Sequence, residues 1–202
     1  MNGLLSINSP LWSITNKALN FLWLSILWLV CSLPVVTIGV STAALYSVTL
    51  KYARDEEGYL TASFFTAFLQ NFWQGTVIWL FLLLVSLFLG FDFVVYYRNG
   101  VADIGHMVLM TLCFSLALVL VLMHFYVYAV LARFENSVFH IIKNSCIMAV
   151  CHWPSSLAML MLSLAILAAG FLVFPPLLFF APAGLSYLHA KFLCRIFERY
   201  AC

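Results

Sequence analysis

Four long stretches of this chain contain no Asp, Glu, Lys or Arg: residues 18–50, 58–91, 104–132 and 144–190. One crossing of a hydrocarbon core needs about 20 apolar residues. Each of the first three stretches is long enough for one crossing, and the last is long enough for two. Composition agrees. Of the 202 residues, 65% are hydrophobic and 8% are charged, against about 25% charged in a soluble domain. Too few charges remain to cover a water-soluble surface. The net charge is only +2. No polybasic block of the kind that binds a phosphate backbone is present, which argues against a nucleic-acid partner.

Prolines and polar breaks divide the stretches. Pro175-Pro176 cannot continue a helix, so the last stretch reads as helices at roughly 152–173 and 177–195. Crossings are expected at roughly 75–96 and 105–131, separated by Tyr97-Arg98-Asn99-Gly100. The first helix reads as Trp12 to Cys31 and ends in Ser32-Leu33-Pro34. The segment after it, Val35 to Lys51, is apolar but short and contains Gly39, Ser41 and Thr42. It reads as a crossing, a re-entrant segment or a surface helix.

Two features favour a crossing. With six crossings, Lys17, Lys51, Arg54, Arg133, Lys143, Lys191, Arg195 and Arg199 share one side and only Arg98 lies on the other, as the positive-inside rule asks of a cytoplasmic face. Five crossings would move only Lys17. The second feature is an internal repeat. Pro34–Arg54 set against Pro175–Arg195 aligns Pro34 with Pro175, Tyr46 with Tyr187 and Arg54 with Arg195. The expectation is therefore an all-α, polytopic transmembrane helical bundle. It forms one domain over residues 1–202, with six crossings (five as the alternative) and three pseudo-repeated helical hairpins. Both termini and the loops 51–74 and 132–150 are expected on the cytoplasmic side of the cell membrane. The uncharged N-terminus is followed by no small-residue cleavage site, so the first helix is expected to stay as an anchor.

Both cytoplasmic loops have amphipathic character. In 61–74, Phe64, Phe65, Phe68, Leu69 and Phe72 share one helical face, opposite Ser63, Thr66, Gln70 and Gln74. Such a helix rests on a membrane surface or in a partner's groove, or it extends the following crossing. In the second loop, Phe134, Val138, Ile141 and Ile142 make the apolar face. Arg54/Glu56, Arg133/Glu135 and Arg195/Glu198 end three hairpins alike. The candidate partner-contact residues are Phe64, Phe65, Phe68, Phe72, Arg54, Glu56, Arg133 and Glu135.

Three segments carry a family resemblance. The first and most specific runs from Cys31-Ser-Leu-Pro-Val-Val-Thr-Ile-Gly through Tyr46 to Lys51. The second is Glu56-Glu57-Gly58-Tyr59 with Phe64 to Phe72, and the third is Leu131-Ala-Arg-Phe-Glu135 with Lys143-Asn144. Together they resemble the YesL-like family of small bacterial membrane proteins. The resemblance implies a setting rather than a mechanism, because genes of this family tend to lie beside carbohydrate ABC-importer and polysaccharide-degradation genes. It implies an accessory role with importer permease subunits as partners. Relatives usually carry Lys or Arg along the first-loop helix, where this chain has Thr66, Leu69 and Trp73. That departure argues against charge as the means of contact.

Catalytic signatures are thin. The six cysteines form no C-x-x-C pair, and Cys146 with Cys151-His152 lacks a matching second half for a metal site. No enzyme, cofactor or metal is expected. His124 lies inside a crossing, where ionisable groups are functional candidates; a neutral His bonded to a neighbouring helix is the bland alternative. Thr42 and Tyr46 join it as intramembrane polar candidates on the segment after Pro34, where a broken helix would mark a transport site. An ordinary turn with Ser/Thr packing between helices explains the same residues. Two functions follow: an accessory protein of a carbohydrate ABC importer, or a small self-contained transporter or channel, with a homo-oligomer as one form of it.

Overall fold

The computed structural model describes residues 10–54, 56, 58–99, 104–172 and 174–197, with side chains from Thr15 onward except Asn99. No strand occurs among them. Eight α-helices follow in order: α1 (Pro10–Cys31), α2 (Ile38–Ala53), α3 (Leu60–Gln70), α4 (Phe72–Asn99), α5 (Ile104–Arg133), α6 (Val138–Cys151), α7 (Trp153–Leu172) and α8 (Leu177–Phe197). A 3-10 turn, Val35–Thr37, leads into α2. Asn2, Asp55, Glu57, Glu198 and Arg199 lie outside the described residues.

Five segments are long and apolar enough to cross a membrane: Val35–Ala53, Phe72–Arg98, Ile104–Arg133, Trp153–Leu172 and Leu177–Phe197. Three shorter apolar helices, Thr15–Cys31, Leu60–Gln70 and Val138–Cys151, accompany them. Much of their outer surface is uncovered. Leu84, Phe88, Phe91, Leu112 and Phe114 on α4 and α5 are all more than half exposed. Water-soluble proteins rarely leave such a contiguous apolar surface open. The protein is a multi-pass membrane protein, and lipid tails meet these side chains.

The centre of the bundle is α2. It packs against α1, α3, α4, α5 and α8, and ten of its sixteen residues are buried. Small residues allow this close fit. A Cβ on Gly39 would meet Cβ of Trp79 at 2.5 Å and the Gly75 carbonyl oxygen at 2.7 Å. Gly75 in turn lies against the Val40 backbone. The first turns of α2 and α4 therefore run side by side at glycine contacts, as small residues permit between membrane helices. The segment from Leu60 to Trp79 thus returns along α2 as an antiparallel partner, with α3 against its later turns.

The loop helix of 61–74 is a separate element. It ends at Asn71, whose side-chain amide donates to the Ala67 carbonyl at 3.0 Å, and α4 starts at the next residue. Hairpin α4–α5 is followed by α6 folded onto α5, just as α2 is followed by α3 folded onto α2.

Turns close with named partners. Thr37 Oγ1 lies 2.6 Å from the Cys31 carbonyl and 2.8 Å from the Pro34 carbonyl and shares its single proton between them, at the end of α1 where carbonyls lack helical partners. Pro182 lies inside α8 and interrupts its hydrogen-bond ladder. The adjacent Ala183 N–H donates to Ser25 Oγ on α1 at 3.2 Å. A backbone group in hydrocarbon must find a partner inside the protein, and here that partner ties α1 to α8.

The glycine contacts generate a paired prediction. Gly39→Ala should lower thermal stability in detergent strongly, because backbone rather than a flexible side chain blocks the new methyl. Gly90→Ala, where a Cβ meets nothing within 4 Å, should be neutral or stabilising by up to about 1 kcal/mol through helix propensity. Equal melting temperatures for the two variants would contradict the close α2–α4 contact.

Candidate functional site

The polar residues that the sequence places inside the membrane converge on one cavity of about 430 Å³. Thr42 and Tyr46 reach it from α2, and His124 and Tyr128 from α5. Trp28, Trp79, Ser163 and His189 bring α1, α4, α7 and α8 to its wall. Among the described residues, no Asp, Glu, Lys or Arg lines it. Ligand cavities are commonly about 300–1,000 Å³, mostly apolar, with a few placed polar groups.

At its floor lies a directed hydrogen-bond chain. Ser163 Oγ donates to the Met159 carbonyl at 2.8 Å. Its one proton is then committed, so in its contact with His189 Nε2 at 3.1 Å the imidazole donates. A neutral imidazole with Nε2–H offers Nδ1 as an acceptor, and Tyr46 Oη lies 3.1 Å from it. The donor count thus orders the chain Tyr46 to His189 to Ser163 to Met159, joining α2, α8 and α7. Phe125 packs edge-on against the same imidazole at 5.0 Å. His189, which is buried, is the residue that sequence reading missed. It falls inside the charge-free stretch 144–190, so the rule that singled out His124 applies to it equally.

His124 behaves differently. Its Nδ1 lies 3.0 Å from the Leu120 carbonyl of its own helix. A carbonyl only accepts, so Nδ1 carries the proton and Nε2 is a free lone pair. The ring packs edge-on against Trp79 at 6.5 Å and Tyr128 at 6.1 Å. Thr42 donates to Ile38 O at 2.7 Å and accepts from Trp28 Nε1 at 3.1 Å.

The loop candidates divide. Phe64 is fully buried among Leu24, Ala44, Leu45 and Val48, so its face is covered by the chain's own α1 and α2 and is not open to a partner. Phe68 is half-buried against the same cluster. Phe65 and Phe72 remain exposed, together with Leu69 and Trp73. Arg54 pairs with Glu56 at 3.2 Å, both well exposed, so the pair contributes about 1 kcal/mol at most. It is the one ion pair among the described residues. Arg133 instead lies over the rings of Phe197 at 5.2 Å and Phe134 at 5.7 Å. Glu135 is exposed on the following turn. A shared ionic network among the three hairpin ends is not formed among the described residues.

A cleft of about 810 Å³ does unite two loop regions. Gln70, Asn71, Trp73 and Gln74 form one wall, and Arg133, Glu135, Asn136 and Ser137 the other. Gln74 Nε2 donates across it to the Asn136 carbonyl at 3.3 Å. Cys146 and Cys151 are free thiols, and no group of three His, Cys, Asp or Glu side chains placed to hold a metal occurs among the described residues.

Residues 21–93 match the model of a family described as "Protein of unknown function, DUF624". That segment supplies the Trp28, Thr42, Tyr46 and Trp79 walls of the cavity and the first wall of the cleft. Comparisons with curated proteins and with solved structures give no match.

The imidazole chain makes a cooperative prediction. Tyr46→Phe strips Nδ1 of its donor, and Ser163→Ala removes the hydroxyl acceptor of Nε2–H. Each should cost about 1–3 kcal/mol as a buried group left unsatisfied. Adding His189→Leu to the double variant should recover part of the loss, because apolar replacement of all partners removes the bare polar atoms. Strictly additive costs in detergent unfolding would show that the three side chains are not one unit.

Proposed function

We propose, from the premise that this chain belongs to the DUF624, YesL-like family of membrane proteins, that it is a non-enzymatic accessory protein of a carbohydrate ABC import system. It sits in the cell membrane with six crossings and both termini cytoplasmic. The family setting supplies the importer. The observation that carries the reading is the cleft between Gln70–Gln74 and Arg133–Ser137. It joins the two loops, offers both charge signs and amides, and is flanked by the exposed rings of Phe72 and Trp73. A polar segment of a permease subunit fits such a surface, with the aromatic rim as the anchor that interfaces favour. The inner face of α3 serves the fold, so contact runs through Phe65, Leu69, Phe72 and Trp73 rather than Phe64.

The cavity favours a second reading, a small self-contained transporter acting as a homo-oligomer. Gentle purification from native membranes separates the two. Under the accessory reading, importer permease subunits co-purify in fixed ratio and are lost in Trp73→Ala/Glu135→Lys, while the variant keeps its melting temperature within a few degrees. A homo-oligomer without importer subunits would overturn that reading and favour the second.

The topology has its own test. An impermeant thiol reagent applied to intact cells should label Asn99→Cys in a cysteine-free background. It should reach Asn2→Cys only after permeabilisation. Labelling of Asn2→Cys from outside would replace six crossings with five.

A further inference from the structure

We infer that a cup between the ends of α1, α2 and α3 holds the phosphate of an anionic membrane lipid. The inference is independent of the importer reading and of the cavity around Tyr46. Lys17 and Asn20 reach the cup from α1, Lys51 and Tyr52 from α2, and Glu56 and Ser63 from the following loop and α3. Its volume is about 310 Å³. Lys17 and Lys51 are exposed, and Asn20, Tyr52 and Ser63 are half-buried, so the lysines meet whatever enters from the surface.

Charge gives the sign of the occupant. Glu56 is held by Arg54 at 3.2 Å, and among the described residues neither lysine is in an ion pair. Three cations therefore stand against one carboxylate at this end of α2. A phosphate takes ammonium groups as counter-charges and accepts further bonds from an amide and a hydroxyl such as those of Asn20 and Ser63. Basic pockets between membrane helices hold anionic headgroups in this way. Behind the cup, Tyr52 packs edge-on against Phe21 at 5.6 Å and Tyr187 at 6.0 Å. Lys191 lies over the Tyr187 ring at 4.8 Å. The rings support the α2 wall and bring another cation to the same end of the bundle.

Depth and shape separate a lipid from a soluble phosphate. Lys17 lies near the start of the apolar stretch Thr15–Cys31, and Lys51 lies in the last turn of α2. Lysines so placed reach the headgroup layer. Beside the cup, Trp23 Nε1 donates to Thr61 Oγ1 on α3 at 3.0 Å. Trp23 belongs to an exposed apolar stripe on α1 with Leu19, Ile26 and Val30. An acyl chain lies along such a stripe while its phosphate sits in the cup. A free phosphate makes no use of it.

The test is a competition on the full chain in an uncharged detergent. Equal amounts of dioleoylphosphatidylglycerol and dioleoylphosphatidylcholine are added, and native mass spectrometry counts the lipid retained. One phosphatidylglycerol per chain is expected to be kept in preference. Lys17→Gln and Lys51→Gln should each lower that preference about fivefold. Lys143→Gln, the same charge change on α6, should leave it unaltered. Equal retention of the two lipids would overturn the inference. An equal fall in Lys143→Gln would overturn it in favour of attraction to net charge alone. Displacement by millimolar inorganic phosphate, and not by chloride at the same ionic strength, would overturn the lipid in favour of a free phosphate. Asp55 and Glu57 flank Glu56 in the chain. A preference that emerges only in Asp55→Asn/Glu57→Gln would overturn the inference in favour of a cup closed by the chain's own carboxylates.

Discussion

His189 joins α8 to α2 through Tyr46 and to α7 through Ser163, with both ring nitrogens engaged. In water such bonds contribute little net stability, because solvent replaces them. Inside a bundle that faces lipid, a bare imidazole nitrogen has no solvent to turn to, and leaving it unmade is costly. The arrangement of the neighbouring helices follows from that constraint. Helix α8 must keep its middle turns against α2, and α7 must present Ser163 at the same depth. Around this centre the packing is apolar, with Tyr126, Ile78, Leu82, Met159 and Leu193 fully buried. Apolar packing alone gives weak register between helices in lipid, where tails compete equally for the same surface. The polar chain supplies register, and the Ser25–Ala183 bond repeats the device between α1 and α8.

The same accounting separates the polar groups of the cavity wall that are engaged from those that are not. Polar groups on the Tyr46 side are closed on one another and hold the walls in place. On α5, Tyr128 Oη is buried without a hydrogen-bond partner, and His124 is bonded through Nδ1 to its own helix. The cavity and the cleft at the Arg133 end are joined by α5, which runs from His124 to Arg133 through the buried turns Tyr126–Leu131.

Much of this was legible in residue order. Charge-free stretches and the prolines at 34 and 175 place the long helices within a few residues, since the cost of burying charge and the loss of a backbone donor are local facts. Single-residue breaks were harder. Asn71 and His152 separate helices without a glycine or a central proline at the break, and tertiary packing on α2 and α5 decides where the chain turns. An amphipathic face says that something covers it, not what. Phe64 was legible as a covered residue, but its cover is α1 and α2 rather than another protein. His124, Tyr46 and Thr42 were legible as membrane-embedded polar groups, and one cavity unites them. His189 escaped because it precedes Lys191 near a helix end and resembles an interface residue. Only the third dimension places it opposite Tyr46.

The central claim is that His189 is a neutral, fully engaged imidazole whose Nε2–H donates to Ser163 and whose Nδ1 accepts from Tyr46. Nitrogen-15 NMR of histidine-labelled protein in lipid measures this directly, with His189→Gln identifying the signal. A single tautomer is expected, protonated at Nε2, whose Nδ1 shift moves in Tyr46→Phe and whose Nε2 shift moves in Ser163→Ala. Protonation at Nδ1, or a signal averaged between tautomers and indifferent to both substitutions, would contradict the account.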